Sequence, residues 1–270
     1  MSSHSCHEDN ALTARSEDAV EYADATADIV ISGRALRLEM SVPTGMTQPI
    51  RLLSLFQSMA DSFVGLALKD AESERAKVSC QKGCGVCCRQ LVPISEVEAR
   101  QLRDLVNNMP DPRRSEIRAR FDEKRQRLQK VGLLERLLEP ERLRPEERTS
   151  FALDYFFQGI VCPFLEEGSC SIYSDRPIPC REYLVVSPAE NCAKPSPDGV
   201  KCLKIPAEVS RAVRCFNSEQ NPGRWVPLVL AIEWANAHPD ESPLRPGPEL
   251  VHELLRLLVG KERLGPAAKH

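Results

Sequence analysis

Ten of the chain's eleven cysteines lie between positions 80 and 215, and no histidine falls among them. This crowding constrains the fold more than any other feature. Ten thiols must be dispersed as small core residues, paired as disulfides, or gathered as ligands. The N-terminal sequence, MSSHSCHEDNALTARSEDAV, lacks the apolar segment behind basic residues that marks a secretory signal, so a cytoplasmic location is expected. In a reducing compartment, clustered thiols act as ligands or redox groups rather than structural disulfides. His4, His7, His238, His252 and His270 all lie outside the cluster, which leaves a thiolate-dominated site. Soft thiolates select zinc, copper(I) or iron–sulfur clusters over magnesium or calcium.

The first cysteine segment reads Cys80-Gln-Lys-Gly-Cys84-Gly-Val-Cys87-Cys88-Arg89. A Cys84/Cys87 pair two residues apart makes a loop short enough for both sulfurs to reach one metal. Adjacent Cys87 and Cys88 are awkward disulfide partners. In the second segment, Cys162 to Cys180, Glu167-Gly168 is placed to turn the chain so that Cys162 and Cys170 approach one another. Pro177 and Pro179 stiffen the approach to Cys180. Cys192 and Cys202 flank a Pro- and Gly-containing loop and are candidates to complete the site, whereas Cys215 reads equally well as a core cysteine.

The rest of the chain predicts a mainly α protein with small β elements (α+β). Residues 1–28 carry seven acids against Arg15, and predict a disordered acidic tail. His4, Cys6 and His7 fall in this tail and are read as mobile residues rather than a site. Residues 29–78 predict a strand, with Leu36, Leu38, Met40 and Val42 alternating behind a Ser32-Gly33 turn, then a helix over 49–76 with the stripe Leu52, Phe56, Met59, Phe63, Leu66 and Ala67. Residues 79–216 form the cysteine module and 217–270 the C-terminal helices, at about 226–237 and 247–259. Within the module, Ser95 and Glu98 form a capping box that opens a short helix. Further helices are expected over about 112–131 and 145–159, so that the 73 residues between Cys88 and Cys162 form a helical excursion.

The Cys84-Gly-Val-Cys87-Cys88-Arg89 run, with Cys162-Pro-Phe-Leu, Cys170-Ser-Ile-Tyr and Arg176-Pro-Ile-Pro-Cys180-Arg181-Glu-Tyr, resembles the CxxCxxCC cysteine-cluster family, the YkgJ-type zinc- or iron-chelating domain. The resemblance covers about residues 80–185. It departs at Cys80, which three residues rather than two separate from Cys84. The resemblance implies iron or zinc held by cysteines. Flagellin lysine N-methylases share the cysteine motif, but no glycine-rich nucleotide loop follows a strand here.

The candidate ligands are therefore Cys80, Cys84, Cys87, Cys88, Cys162, Cys170, Cys180, Cys192 and Cys202. The cofactor is expected to be a [4Fe–4S] cluster or a zinc or iron ion. The alternatives left open are an enzyme using the centre, such as a protein lysine N-methylase or an oxidoreductase, and a structural zinc module in an interaction protein. Arg176 and Arg181 are expected either to make local ion pairs or to offset thiolate charge. The formal charge of −3 argues against a general polyanion binder. The eight basic residues over 113–130 read as a solvated face rather than a nucleic-acid surface, because Phe121 is the one aromatic among them. No run approaches the roughly 18 apolar residues of a membrane span.

Overall fold

The computed structural model describes residues 21–81, 83–196, 198–216 and 224–260. Its strands are β1 (Tyr22–Ile31), β2 (Arg34–Pro43), β3 (Met46–Thr47), β4 (Pro93–Ile94), β5 (Leu165–Glu166), β6 (Ser169–Cys170), β7 (Val226–Pro227) and β8 (Arg245–Pro246). Its helices are α1 (Leu53–Ser73), α2 (Glu96–Asn107), α3 (Arg113–Lys130), α4 (Leu134–Leu138), α5 (Arg148–Phe157), α6 (Ile178–Glu182), α7 (Ala189–Ala193), α8 (Val209–Cys215), α9 (Ala231–Ala237) and α10 (Gly247–Val259). The architecture is mainly α with small antiparallel strand pairs, as the sequence predicts.

The sequence reading places Tyr22–Asp28 in the acidic tail, and the structure corrects it. Tyr22–Asp28 belong to β1, which pairs with β2 from Tyr22↔Pro43 to Ile31↔Arg34. The reason is alternation: Ala27, Ile29, Leu36, Leu38, Met40 and Val42 face one core, while Asp24 and Asp28 stay exposed. Residues 1–20, with His4, Cys6 and His7, lie outside the described residues. The hairpin covers α1, α8 and α10, whose buried faces supply Phe56, Phe63, Val209, Val213, Leu250 and Leu254. Phe56 meets Phe216 edge-on, with ring centroids 5.4 Å apart.

The excursion after Cys88 is helical, as expected, and comprises α2 to α5. The capping box is formed: the Glu98 N–H donates to Ser95 Oγ, and the Ser95 N–H donates to Glu98 Oε2 at 2.8 Å. A second apolar core joins α2, the start of α3 and α9 through Ile94, Leu102, Val106, Ile117, Phe121, Phe164 and Ile232. A third gathers Leu128, Leu134, Leu137, Phe151, Tyr155 and Leu230. The helix expected over 226–237 begins later, at Ala231, because Val226–Pro227 instead pairs with Pro93–Ile94. Among the described residues, no helix is long and apolar enough to cross a membrane.

Candidate metal centre

The cysteine loop after α1 is tied to distant chain by its backbone. The Ser79 N–H donates to the Val185 carbonyl at 2.8 Å, and Ser79 Oγ donates to the Ser187 carbonyl at 2.6 Å. A tight turn at Val86–Arg89 carries Cys87 and Cys88. The hairpin of β5 and β6 lies directly against this turn. A Cβ on Gly85 would stand 2.5 Å from both the Gly168 carbonyl oxygen and Leu165 Cδ1, so only glycine fits. The Cys162 N–H donates to the Cys88 carbonyl at 2.7 Å, which brings the second cysteine segment onto the first.

The hairpin itself is shaped by Glu167 and Gly168, at φ of 47° and 79°. Successive positive φ values are the geometry of a two-residue hairpin turn, which glycine adopts without a steric cost. Glu166, at the hairpin's edge, receives Arg113 at 2.5 Å and also Arg120, both from α3. These two guanidinium groups hold the Glu166 carboxyl below the usual carboxylate range. Part of the basic face of α3 is thus a clamp on the cysteine hairpin. Arg125 pairs with Glu233, and Lys124 with Glu123.

Cys180 is positioned by two charged side chains. Glu98, fully buried, accepts the Ile178 N–H at 2.6 Å in addition to its Ser95 bonds. It therefore joins the start of α2 to the start of α6. Arg181 donates to the Arg176 carbonyl at 2.9 Å, to the Ser174 carbonyl, and to Asp61 of α1 at 2.7 Å. Its carboxylate partner is a distant one rather than neighbouring Asp175 or Glu182. Arg176 behaves differently: its guanidinium lies 4.2 Å over the Tyr173 ring, and its buried Nε has no hydrogen-bond partner among the described residues. Its positive charge favours the thiolate forms of Cys87 and Cys170.

Every cysteine among the described residues is a free thiol. The hydrogen bond to Cys87, together with burial, pushes the Cys88 thiol up. Cys162, Cys170 and Cys180 pack on the second apolar core, and burial pushes all three thiols up, Cys162 to about 12. Burial pushes the Tyr155 hydroxyl up, while Phe157, on the same helix, faces solvent. A Cys88–Cys87 hydrogen bond holds the Cys87 thiol down.

Cys80 Sγ accepts the Val185 N–H at 3.3 Å, and the backbone of Val185 bridges to that of Cys202. Cys192 lies on α7, where burial pushes its thiol up. Cys202 shares a hydrogen bond with Tyr183, whose hydroxyl accepts Gln90 Nε2 at 2.7 Å. Cys84 and Cys202 are exposed, and Cys192 is buried. Cys215 ends α8, whose buried residues belong to the first core.

The donor set suits iron or zinc in kind: it consists of unpaired soft thiols drawn from separate segments, with no competing disulfide. Among the described residues, no three His, Cys, Asp or Glu side chains already converge to hold a metal ion. Binding therefore requires the gathered sulfurs to close inward. Sequence reasoning names nine thiols as candidate ligands, and all nine are unpaired in the structure. It does not find Glu98's bond to Ile178, the Arg113 and Arg120 clamp, or the Tyr183–Cys202 contact. The capping box was a visible signal for Glu98, but its second partner is 80 positions away.

Residues 79–197 match the family model CxxCxxCC, described as "Putative zinc- or iron-chelating domain". No curated protein and no solved structure matches the chain. The match takes in eight of the nine candidate cysteines, and Cys202 lies beyond its end. It supports metal binding through the cysteines.

Proposed function

We propose that the chain is a cytoplasmic metal-binding protein whose cysteine centre holds an iron–sulfur cluster. One observation carries this reading: the free thiols Cys162, Cys170 and Cys180, with no histidine among them, pack on one apolar core, and the bond from the Cys162 N–H to the Cys88 carbonyl at 2.7 Å brings the first cysteine loop against them. Four thiolates with no nitrogen ligand suit a [4Fe–4S] cluster. Cys88, Cys162, Cys170 and Cys180 would hold it. Bound there, a cluster supplies one-electron chemistry or a rigid structural tie. The chain's own contribution is to exclude water on the side of Phe164 and Ile172 and to place the Arg176 charge beside the thiolates.

A second reading is zinc, favoured by the slightness of the local secondary structure. The hairpin strands β5 and β6 have two residues each, and α6 and α7 have five each. A closed four-thiolate zinc site would staple such segments together. Anaerobic purification followed by metal analysis and a visible spectrum decides between the two. Brown protein containing iron and acid-labile sulfide supports the cluster. Colourless protein with stoichiometric zinc supports the second reading, and folded protein with neither metal refutes both.

A further inference from the structure

Helices α2 and α10 both pack on the turn Pro49–Leu52, and a cleft of about 1600 Å³ opens beside them. None of the described residues that line it is a cysteine. Three arginines reach its wall from three elements: Arg100 from α2, Arg214 from α8, and Arg224 from the segment before β7. Strand pairing brings them to one place. Arg214 Nη1 donates to the Pro93 carbonyl at 3.3 Å, on β4, and β4 pairs with β7. Glu96, just past β4, lies 3.6 Å from both Arg100 and Arg224. The same two guanidinium groups share one indole, at 5.2 and 5.8 Å from the Trp234 ring centroid. They are held but not satisfied. Arg100 is buried, and its Nε donates to the His238 carbonyl at 3.1 Å. Its terminal nitrogens find no hydrogen bond among the described residues, because Glu96 and Asp240 stand 3.6 and 4.0 Å away. Among the same residues Arg224 makes no hydrogen bond, and Arg214 makes no ion pair while burial works against its charge. The other acids of the cleft, Glu241, Glu249 and Glu253, lie on the loop after α9 and on α10, and none pairs with these three arginines.

We infer that this cleft binds a small molecule carrying a phosphate group, whose oxygens accept hydrogen bonds from Arg100, Arg214 and Arg224. A phosphate presents its oxygens in tetrahedral directions, which suits guanidinium forks arriving from three elements, whereas a carboxylate offers one planar edge. The organic part of the molecule lies against His238, whose exposed ring stacks on Trp234 with centroids 4.4 Å apart and planes at 8°. His238 Nδ1, at 2.8 Å from the Trp234 carbonyl, fixes that ring. A concave site with a few convergent polar groups is the usual form of a small-molecule pocket. The inference does not rest on the metal-binding reading.

The test titrates phenyl phosphate, inorganic phosphate and benzoate into the full chain by calorimetry, with metal content measured on every sample. Phenyl phosphate should bind best, inorganic phosphate more weakly and benzoate least. Arg100→Gln and Arg224→Gln should each weaken phenyl phosphate by about tenfold or more, with metal content unchanged. Arg142→Gln, outside the cleft, should bind as the wild type does. If the arginine variants do not fold, phenylglyoxal labelling of the wild-type chain decides: phenyl phosphate should shield Arg224 and leave Arg142 reactive. Binding that survives both arginine variants, equal labelling of Arg224 with and without phenyl phosphate, or benzoate as tight as phenyl phosphate would overturn the proposal. So would binding lost when metal is chelated from protein that stays folded, since the phosphate would then sit on the metal. Failure of both phosphate probes to bind would overturn it as well and leave the metal-binding reading standing.

Discussion

Replacing Gly85 by alanine tests whether the first cysteine loop and the cysteine hairpin are packed as one unit. Gly85 has φ of −98°, a conformation open to alanine, so the backbone itself adds no strain. The cost is steric. The new Cβ would meet the Gly168 oxygen at 2.5 Å, Leu165 Cδ1 at 2.5 Å and the Gly168 carbonyl carbon at 3.1 Å, where ordinary contacts begin at 3.4 Å. About 1 Å must be found, and one obstacle is the backbone of a tight turn. Overpacking of this kind costs about 1–3 kcal/mol. The lower unfolded-state entropy of alanine returns roughly 0.4–1 kcal/mol. The net loss should be about 1–2 kcal/mol, or roughly 2–8 °C in thermal midpoint for a chain of this size. Gly45→Ala is the control, since its Cβ would meet nothing within 4 Å. The assay is thermal unfolding of both variants, with metal per chain measured on each. Gly85→Ala should lose metal as well as stability, because its shift separates Cys88 from Cys162. A Gly85→Ala protein with the metal content and midpoint of the Gly45→Ala control would refute the packing argument.

Other outcomes follow from the same contacts. Glu98→Ala strands the buried Ser95 and Ile178 N–H groups, each worth about 1–3 kcal/mol, and should lower the urea midpoint markedly while reducing metal retention. Arg181→Ala should loosen the Cys180 segment from α1, and Asp61→Ala should cost less, because Arg181 keeps its bonds to the Arg176 and Ser174 carbonyls; paired midpoints check the order. Cys215→Ala should cost about 1–3 kcal/mol in packing and keep the full metal complement, read by metal analysis. Chelation of the loaded protein should lower its thermal midpoint, because metal-binding energy is folding energy where local secondary structure is slight.

The longer elements were legible because each carries its own periodicity. The α1 stripe, the capping box at Ser95, the Glu167-Gly168 turn and the amphipathic α10 are local patterns, and all four form. The first seven residues of β1, Tyr22–Asp28, were read as tail because the inward positions there are small alanines and Asp24 and Asp28 lie among them. The two-residue pairings of β3 with β8 and β4 with β7 have no local signal, since Met46 and Ile94 meet partners more than 130 positions away. The candidate site follows the same division. Cysteine spacing marks the candidate thiols, but the tie of Val185 to both Cys80 and Cys202 joins residues far apart in the chain. Spacing along the chain carries no trace of that meeting.

The bridge from Val185 to Cys202 also sets a timetable for biosynthesis. Cys80 and Cys202 are 122 residues apart in the chain. At about 5–20 residues per second, roughly 6–24 s separate the synthesis of the first thiol from that of the last. During that interval Cys80, Cys84, Cys87 and Cys88 are translated without the partners that enclose them in the finished fold. Cys180 is made 22 residues before Cys202. The apolar packing of Cys162, Cys170 and Cys180 can therefore form before the Val185–Cys202 bridge closes, and the early cysteines must meanwhile be kept reduced.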